Sequence, residues 1–171
     1  NKDAKCWKVT RNGEYLALFI GDYFSRESKR SGAWCSSLKG QSKFDGNKRP
    51  IVINVCNFEL PQEGNPCLLS LEEASTLFHE FGHALHVILS DVTYPFVSGT
   101  SVARDFVELP SQLFEHWLEV PEILENYAIH YETNKPISKK LTKKILDSKN
   151  IDQGFSTVEY LASAIVDLHF H

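Results

Sequence analysis

Several features that would assign this chain to a particular class are missing from it. The sequence has no methionine, no apolar run of membrane-spanning length and no long basic run. A transmembrane helix needs about 20 apolar residues, so none is predicted, and the start of the chain lacks the apolar region of a secretory signal. A net charge of -4 without a basic patch argues against nucleic-acid binding. Because the chain starts at Asn1 without methionine, we expect it to be part of a longer polypeptide.

Cysteine is scarce and irregularly spaced. Cys6, Cys35, Cys56 and Cys67 stand singly, rather than in the closely spaced pairs of a zinc knuckle. An even number permits two disulfides, but Cys35 and Cys56 lie in apolar, strand-like segments, where a buried free thiol is the commoner state. We therefore expect reduced thiols and a cytoplasmic location.

The composition is that of a compact domain with a real core, since 42% of the residues are hydrophobic and 23% are charged. Alternating apolar residues predict a small sheet beside the functional site, with strands at 14–23, 33–38 and 50–58. Helical signals dominate later, at 70–90, 102–119, 121–132, 138–149 and 155–171, and Ser156 with Glu159 predicts a capping box for the last helix. We predict one α+β, mainly α-helical domain over 1–171, with a sheet region at 1–60 and a helical region at 70–171.

A histidine-glutamate-x-x-histidine sequence at residues 79–83 is the most informative stretch of the chain. If the segment is helical, His79 and His83 lie one above the other, so both imidazoles can reach one metal ion. Glu80 lies about 100° further round the helix, where it can take a proton from water at the metal. The pattern fixes only three of five positions, and a surface helix with incidental histidines fits it as well.

Two independent signals place this motif on a helix. Apolar residues recur at three-to-four spacing across 70–90, and Ser70 with Glu73 forms the capping box that begins a helix. Gly82 inside that helix costs about 1 kcal/mol relative to alanine. We expect another backbone or a substrate to pack closely against Gly82, and a merely tolerated glycine is the alternative.

A catalytic zinc usually takes three protein ligands, so two histidines leave the site one short. His86 continues the same stripe, but the rise of about 10.5 Å from His79 is too long for one metal ion to bridge. We interpret His86 as a packing residue or one that orients a ligand.

The predicted helix at 102–119 offers the next candidates for a ligand. Its polar residues Asp105, Glu108, Gln112 and Glu115 fall on one side. A solvated helix face explains such a row. A metal site also explains it, with Glu108 as the third ligand and Asp105 orienting a ligating imidazole. Spacing alone leaves both interpretations open.

Seven short segments are informative when taken in order: KRSGAW at 29–34, PIVINVCNF at 50–58, HEFGH at 79–83, SGT at 98–100, DFVELPSQ at 105–112, NIDQGF at 150–155 and TVEY at 157–160. Together they resemble the thimet oligopeptidase family of zinc peptidases, and most closely its bacterial peptidyl-dipeptidase and oligopeptidase A members. The resemblance covers essentially the whole chain.

The resemblance implies a zincin-like catalytic domain that binds one zinc ion per chain. His79, His83 and Glu108 would be its ligands and Glu80 the general base. The substrates would be short peptides, because family members enclose the site in a deep channel. Trimming of C-terminal dipeptides and internal cleavage both stay open.

Family members are several times longer than this chain. The resemblance therefore implies a catalytic-domain fragment that depends on the remainder of the same polypeptide for part of its substrate site, and that is weak or inactive alone. The alternative from another class is a non-catalytic zinc-bearing structural or interaction module. That alternative predicts four protein ligands and gives Glu80 no role.

Overall fold

The computed structural model describes residues 2–61, 63–148 and 151–171. Within it the chain forms two compact units, Asn1–Leu118 and Glu119–His171. The predicted α+β class is confirmed, since one four-stranded sheet is followed by helices. None of the helices in the described ranges combines the length and the hydropathy that crossing a membrane requires.

The sheet of the first unit contains β1 (Lys5–Arg11), β2 (Glu14–Phe24), β3 (Trp34–Lys39) and β4 (Ile51–Phe58), in the order β1-β2-β4-β3. β2 and β4 are parallel neighbours in its centre, and both edge strands pair antiparallel. The three predicted strands are confirmed to within a residue at each end. β1 was missed because nearly all of its side chains are exposed, so its hydrophobic alternation is weak. The signal for β1 is the Asn12-Gly13 turn, where both residues have positive φ, as a tight hairpin requires.

Helix α1 (Leu71–Ile88) packs against one face of this sheet. The predicted capping box is confirmed, because Ser70 Oγ accepts from the Glu73 backbone N–H at 3.1 Å and the Glu73 carboxylate accepts from the Ser70 N–H at 2.8 Å. The core between helix and sheet consists of six buried residues: Ala17, Phe19, Val52, Ala84, Val87 and Ile88. Burial of this apolar face fixes the side of α1 that turns toward the strands.

The continuous helix predicted at 102–119 is wrong, because that segment is divided. It forms α2 (Arg104–Val107), α3 (Leu109–Glu115) and a 3-10 turn at His116–Glu119. Glu108 joins the two helices, and Pro110 stands in the first turn of α3. Proline has no N–H to continue a helix from the preceding turn, so a new helix begins there. A further 3-10 turn lies at Pro95–Val97.

The second unit contains α4 (Pro121–Tyr127), α5 (Lys139–Ser148) and α6 (Gln153–Phe170). α4 is shorter than the predicted 121–132 because Ala128 leaves helical geometry. Residue 149, the predicted end of α5, and residue 150, the start of the NIDQGF segment, lie outside the described residues. The predicted capping box at Ser156 is wrong, since α6 begins at Gln153 and contains that serine.

The last strand ends at Phe58 and the first helix begins at Leu71. The prediction of a single domain over the whole chain stays a prediction.

Candidate metal centre

Three potential ligand atoms converge between α1 and the start of α3. His79 Nε2 and His83 Nε2 are 3.2 Å apart, and Glu108 Oε2 lies 3.2 Å from the first and 3.1 Å from the second. Among the histidine, cysteine, aspartate and glutamate side chains of the described residues, these three have ligand atoms close enough together to share one metal ion. We call these three residues the metal centre.

The chemistry of the three donors fits zinc. A tetrahedral zinc with bonds of about 2.05 Å needs ligand atoms about 3.3 Å apart, which is close to the spacing of this triangle. Two imidazoles and one carboxylate form a donor set typical of catalytic zinc, with a position left for water. The sequence-predicted ligands are therefore brought together, although they come from different helices.

Gly82 explains how α3 can approach α1 closely enough. A Cβ atom on Gly82 would lie 2.6 Å from the Ser111 Cα and 2.8 Å from the Pro110 carbonyl oxygen, both of which are distances that real Cβ atoms do not adopt. The expectation that another backbone packs against this glycine is confirmed. The contact brings the first turn of α3, and with it Glu108, beside the two histidines.

Ser111 holds the Glu108 carboxylate and was missed by the sequence analysis. It is fully buried, and its hydroxyl lies 2.8 Å from Glu108 Oε2 and 2.9 Å from the Glu108 backbone carbonyl oxygen. The hydroxyl can donate its one proton to either oxygen. A serine three residues after a candidate ligand was the available signal, since that spacing places both on one helix face.

Glu115 is a second residue that the sequence analysis left without a role. Its Oε1 lies 2.5 Å from His79 Nδ1. If His79 is neutral and its Nδ1–H donates a hydrogen bond to Glu115, then Nε2 carries a free lone pair. A histidine that binds a metal through Nε2 needs this lone pair. Glu115 therefore orients His79 toward the metal centre.

Asp105, which the sequence analysis put in that orienting position, is exposed instead. Its side chain makes no hydrogen bond or ion pair with any other described residue. The break at Glu108 separates α2 from α3, so Asp105 and Glu115 lie on different helices. Glu115 takes the position beside His79 Nδ1 in this structure, and the assignment of Asp105 behind a ligand stays a prediction.

Glu80 lies on the buried side of α1 and is only 7% exposed. Burial raises the pKa of its carboxyl group, His79 opposes that shift, and the negative charge of Glu108 adds to it. A cleft of about 340 Å³ beside the metal centre is lined by Glu80, His79 and Glu115, and by Ala33, which immediately precedes β3. A carboxylate with a raised pKa next to an accessible cleft is suited to proton transfer.

His86 lies outside the metal centre. Its ring packs edge-on toward Phe106 with centroids 6.1 Å apart, and burial lowers the pKa of its imidazole. It lines an apolar cavity of about 550 Å³ between α1 and α3, away from the three ligand atoms. Packing is thus the role that its surroundings support.

The four cysteines lie in the described residues, and none of them forms a disulfide. Cys35 and Cys56 are near the site, and both thiols have a pKa raised to about 12, first by burial and then by the charge of Glu80. Such thiols stay protonated at neutral pH and are poor nucleophiles.

A comparison with family models matches residues 1–171 to Peptidase family M3. The chain belongs to peptidase family M3. The resemblance to the thimet oligopeptidase family predicted from the sequence is thereby confirmed.

The M3 chain is similar to several bacterial and eukaryotic enzymes. It is 39% identical to dipeptidyl carboxypeptidase of Escherichia coli strain K12 over 99% of its own length and 25% of that protein. It is 41% identical to oligopeptidase A of the same organism over 94% of the chain and 24% of that protein. Thimet-like oligopeptidase of Dictyostelium discoideum is 36% identical over 97% of the chain and 25% of that protein. The M3 chain spans about a quarter of the length of the curated relatives it matches.

Proposed function

We propose that the polypeptide containing this M3 chain is a zinc peptidase that hydrolyses short peptides, and that the chain supplies its metal ligands and its general base. One observation carries the proposal: three ligand atoms lie within 3.2 Å of one another, and α1, which supplies both histidines, also carries the buried Glu80. The similar enzymes named dipeptidyl carboxypeptidase and oligopeptidase A support the peptidase activity.

His79, His83 and Glu108 would hold one zinc ion. When bound, the zinc would act as a Lewis acid and would lower the pKa of water toward neutrality. Both imidazoles must be neutral to act as ligands. Burial lowers the pKa of His83 and Glu108 opposes that shift, but the net shift is downward, so the neutral form of His83 is favoured. His79 is kept in the required tautomer by Glu115.

Glu80 takes the proton from the attacking water in this mechanism. Its carboxylate oxygen then delivers the proton to the nitrogen of the departing amine as the peptide C–N bond breaks. Its burial favours this exchange because a carboxyl group with a raised pKa accepts a proton more readily. Ala33, which immediately precedes β3, lines the cleft in which a peptide would approach Glu80.

Short peptides are the substrate class that we propose, and the remainder of the polypeptide is the partner that completes the substrate site. Both dipeptide trimming and internal cleavage stay open, because the similar enzymes carry names of both kinds. We keep the cytoplasm as the proposed location.

The experiment that tests this function compares the full polypeptide with its Glu80→Gln variant. Both proteins are purified without chelators, and zinc content and hydrolysis of short peptides are measured. We expect about one zinc per chain in both proteins and a loss of hydrolysis of at least about 100-fold in the variant. Glu125→Gln, an exposed substitution on α4, is the control and should keep both properties. Full hydrolysis by Glu80→Gln would refute the mechanism, and zinc without any hydrolysis in the parent protein would favour the structural module.

A further inference from the structure

Three buried side chains of α1 and β4 carry polar atoms that have no hydrogen-bond partner among the described residues. The atoms are His83 Nδ1, Glu80 Oε2, and both Oδ1 and Nδ2 of Asn54. Their residues are 8%, 7% and 0% exposed, respectively. Burying a polar group without a partner is unfavourable, so three such side chains in one region need an explanation.

Asn54 lies on the face of the sheet that contacts α1. Alternate residues of a strand share one face, so Val52, Asn54 and Cys56 of β4 point the same way. Val52 packs in the core with Ala84 of α1. At the other end of this row, the charge of Glu80 acts on the thiol of Cys56.

The position of Asn54 follows from these two neighbours. It stands between Val52 and Cys56, and it therefore faces the part of α1 between Ala84 and Glu80. The buried residues of α1 there include His83 and Ala84, which follow Glu80 by three and four residues and so share its side of the helix. Glu80 and His83 are thus the polar residues on the side of the helix that Asn54 faces.

The donors and acceptors of the three side chains are complementary. A histidine that binds a metal through Nε2 carries its proton on Nδ1 and needs an acceptor for it. A carboxylate needs a donor. The side-chain amide of Asn54 offers one of each, namely its Oδ1 for His83 and its Nδ2 for Glu80.

We propose that Asn54 is a positioning residue for the metal centre, which accepts a hydrogen bond from His83 Nδ1–H and donates one to Glu80 Oε2, each directly or through one buried water. This inference rests on the proposed function. β4 would then orient His83 in the way that Glu115 orients His79. One amide would also couple the position of the general base to that of a ligand.

The test measures the zinc affinity of the full polypeptide by competition with a chromophoric chelator. Asn54→Leu keeps the volume but removes donor and acceptor, so we expect zinc affinity to fall about 10- to 100-fold. Asn54→Asp keeps the acceptor for His83, and its affinity should stay within about threefold of the parent protein.

The matched control is Gln41→Leu. Gln41 is also a fully buried amide, but its hydrogen bonds join it to the backbone of Val92. Its loss should lower the thermal stability and leave zinc affinity within about twofold, because Gln41 does not touch the metal centre.

The inference would be overturned if Asn54→Leu bound zinc as tightly as the parent. It would also be overturned if Asn54→Asp or Gln41→Leu lost as much zinc affinity as Asn54→Leu does. If Asn54→Leu does not fold, histidine-selective ¹⁵N NMR of the zinc-loaded parent decides. We expect a slowly exchanging proton on His83 Nδ1, and a proton that exchanges freely with water there would overturn the inference. A parent protein that binds no zinc would instead refute the proposed function, and the inference with it.

Discussion

Gly82 of α1 lies directly against Ser111 of α3, so that a Cβ atom at residue 82 would stand 2.6 Å from the Ser111 Cα. The same serine holds the Glu108 carboxylate through its hydroxyl. One close helix contact thus sets the distance between the histidines of α1 and the third ligand. Glycine is required there because any side chain would separate the two backbones.

Gly82→Ala should weaken zinc binding by at least about tenfold, because α3 must shift away and take Glu108 with it. Thermal unfolding of the variant should also occur at a lower temperature, since overpacking costs about 1 to 3 kcal/mol. Metal affinity by chelator competition and unfolding by circular dichroism check both outcomes.

Gly154→Ala is the matched control for that substitution. Gly154 also belongs to a helix, as the second residue of α6, but a Cβ there would meet no atom within 4 Å. Alanine should therefore not destabilise α6 and should leave zinc affinity unchanged. A Gly82→Ala protein that binds zinc as tightly as this control would contradict the role we give to the helix contact.

Glu115→Gln should lower zinc affinity about 10- to 100-fold, because the amide is a weaker acceptor for the His79 Nδ1 proton than the carboxylate is. Asp105→Asn should have little effect, since the Asp105 side chain is exposed and makes no hydrogen bond with any described residue. Zinc titration of the two variants side by side distinguishes them. A larger loss in Asp105→Asn than in Glu115→Gln would restore the assignment made from the sequence.

Asp22 should make stability depend on pH in the acidic range. Its carboxylate accepts from Arg26 at 2.8 Å on both oxygens and from Lys29 at 3.2 Å, and the Lys29 side chain is only 3% exposed. The hydrogen bond from Arg26 lowers the pKa of Asp22 below 3.8 against the opposing effect of burial, and Lys29 lowers it further. A lowered pKa in the folded state means that this stabilisation is complete above pH 3.8 and is lost as the pH falls through the lower value.

Asp22→Asn should therefore reduce the free energy of unfolding at pH 7 by about 3 kcal/mol, because buried Lys29 loses its counter-charge. The difference from the parent should shrink below pH 4, where the parent carboxylate also becomes protonated. Urea unfolding at several pH values measures this. Asp45→Asn, which removes an exposed pair with Lys48, is the control and should change little. A difference that stays constant down to pH 2 would show that the charge of Asp22 is not the cause.

Local patterns in the sequence were good predictors of local structure. The capping box at Ser70 and the apolar spacing after it gave α1 nearly to the residue, because both signals depend on groups within one or two helical turns. The same kind of reasoning failed at Ser156, where α6 begins three residues earlier. It also failed for β1, since an edge strand with exposed side chains has no strong periodicity.

The break at Glu108 illustrates a different limit. The spacing of the acidic residues in 102–119 predicts that they share one face of a continuous helix. In the structure, Glu108 separates this segment into α2 and α3. Pro110 was the signal in the sequence for this division, because a proline has no N–H with which to continue a helix. The family resemblance predicts Glu108 as a metal ligand. The spacing of the carboxylates alone did not distinguish a metal ligand from a residue on a solvated helix face. The orientation of Glu115 toward His79 could not be read from either source.

The sequence by itself determined the pair of histidines and the glutamate between them, since helical geometry places His79 and His83 on one face wherever the helix lies. Only the tertiary structure decided which carboxylates meet that face. Distances between elements depend on how closely backbones pack, and the contact of Gly82 with Ser111 brings Glu108 and Glu115 within reach of the two histidines. The side of α1 that faces Asn54 is likewise set by burial of the core against the sheet, which involves residues far apart in the chain.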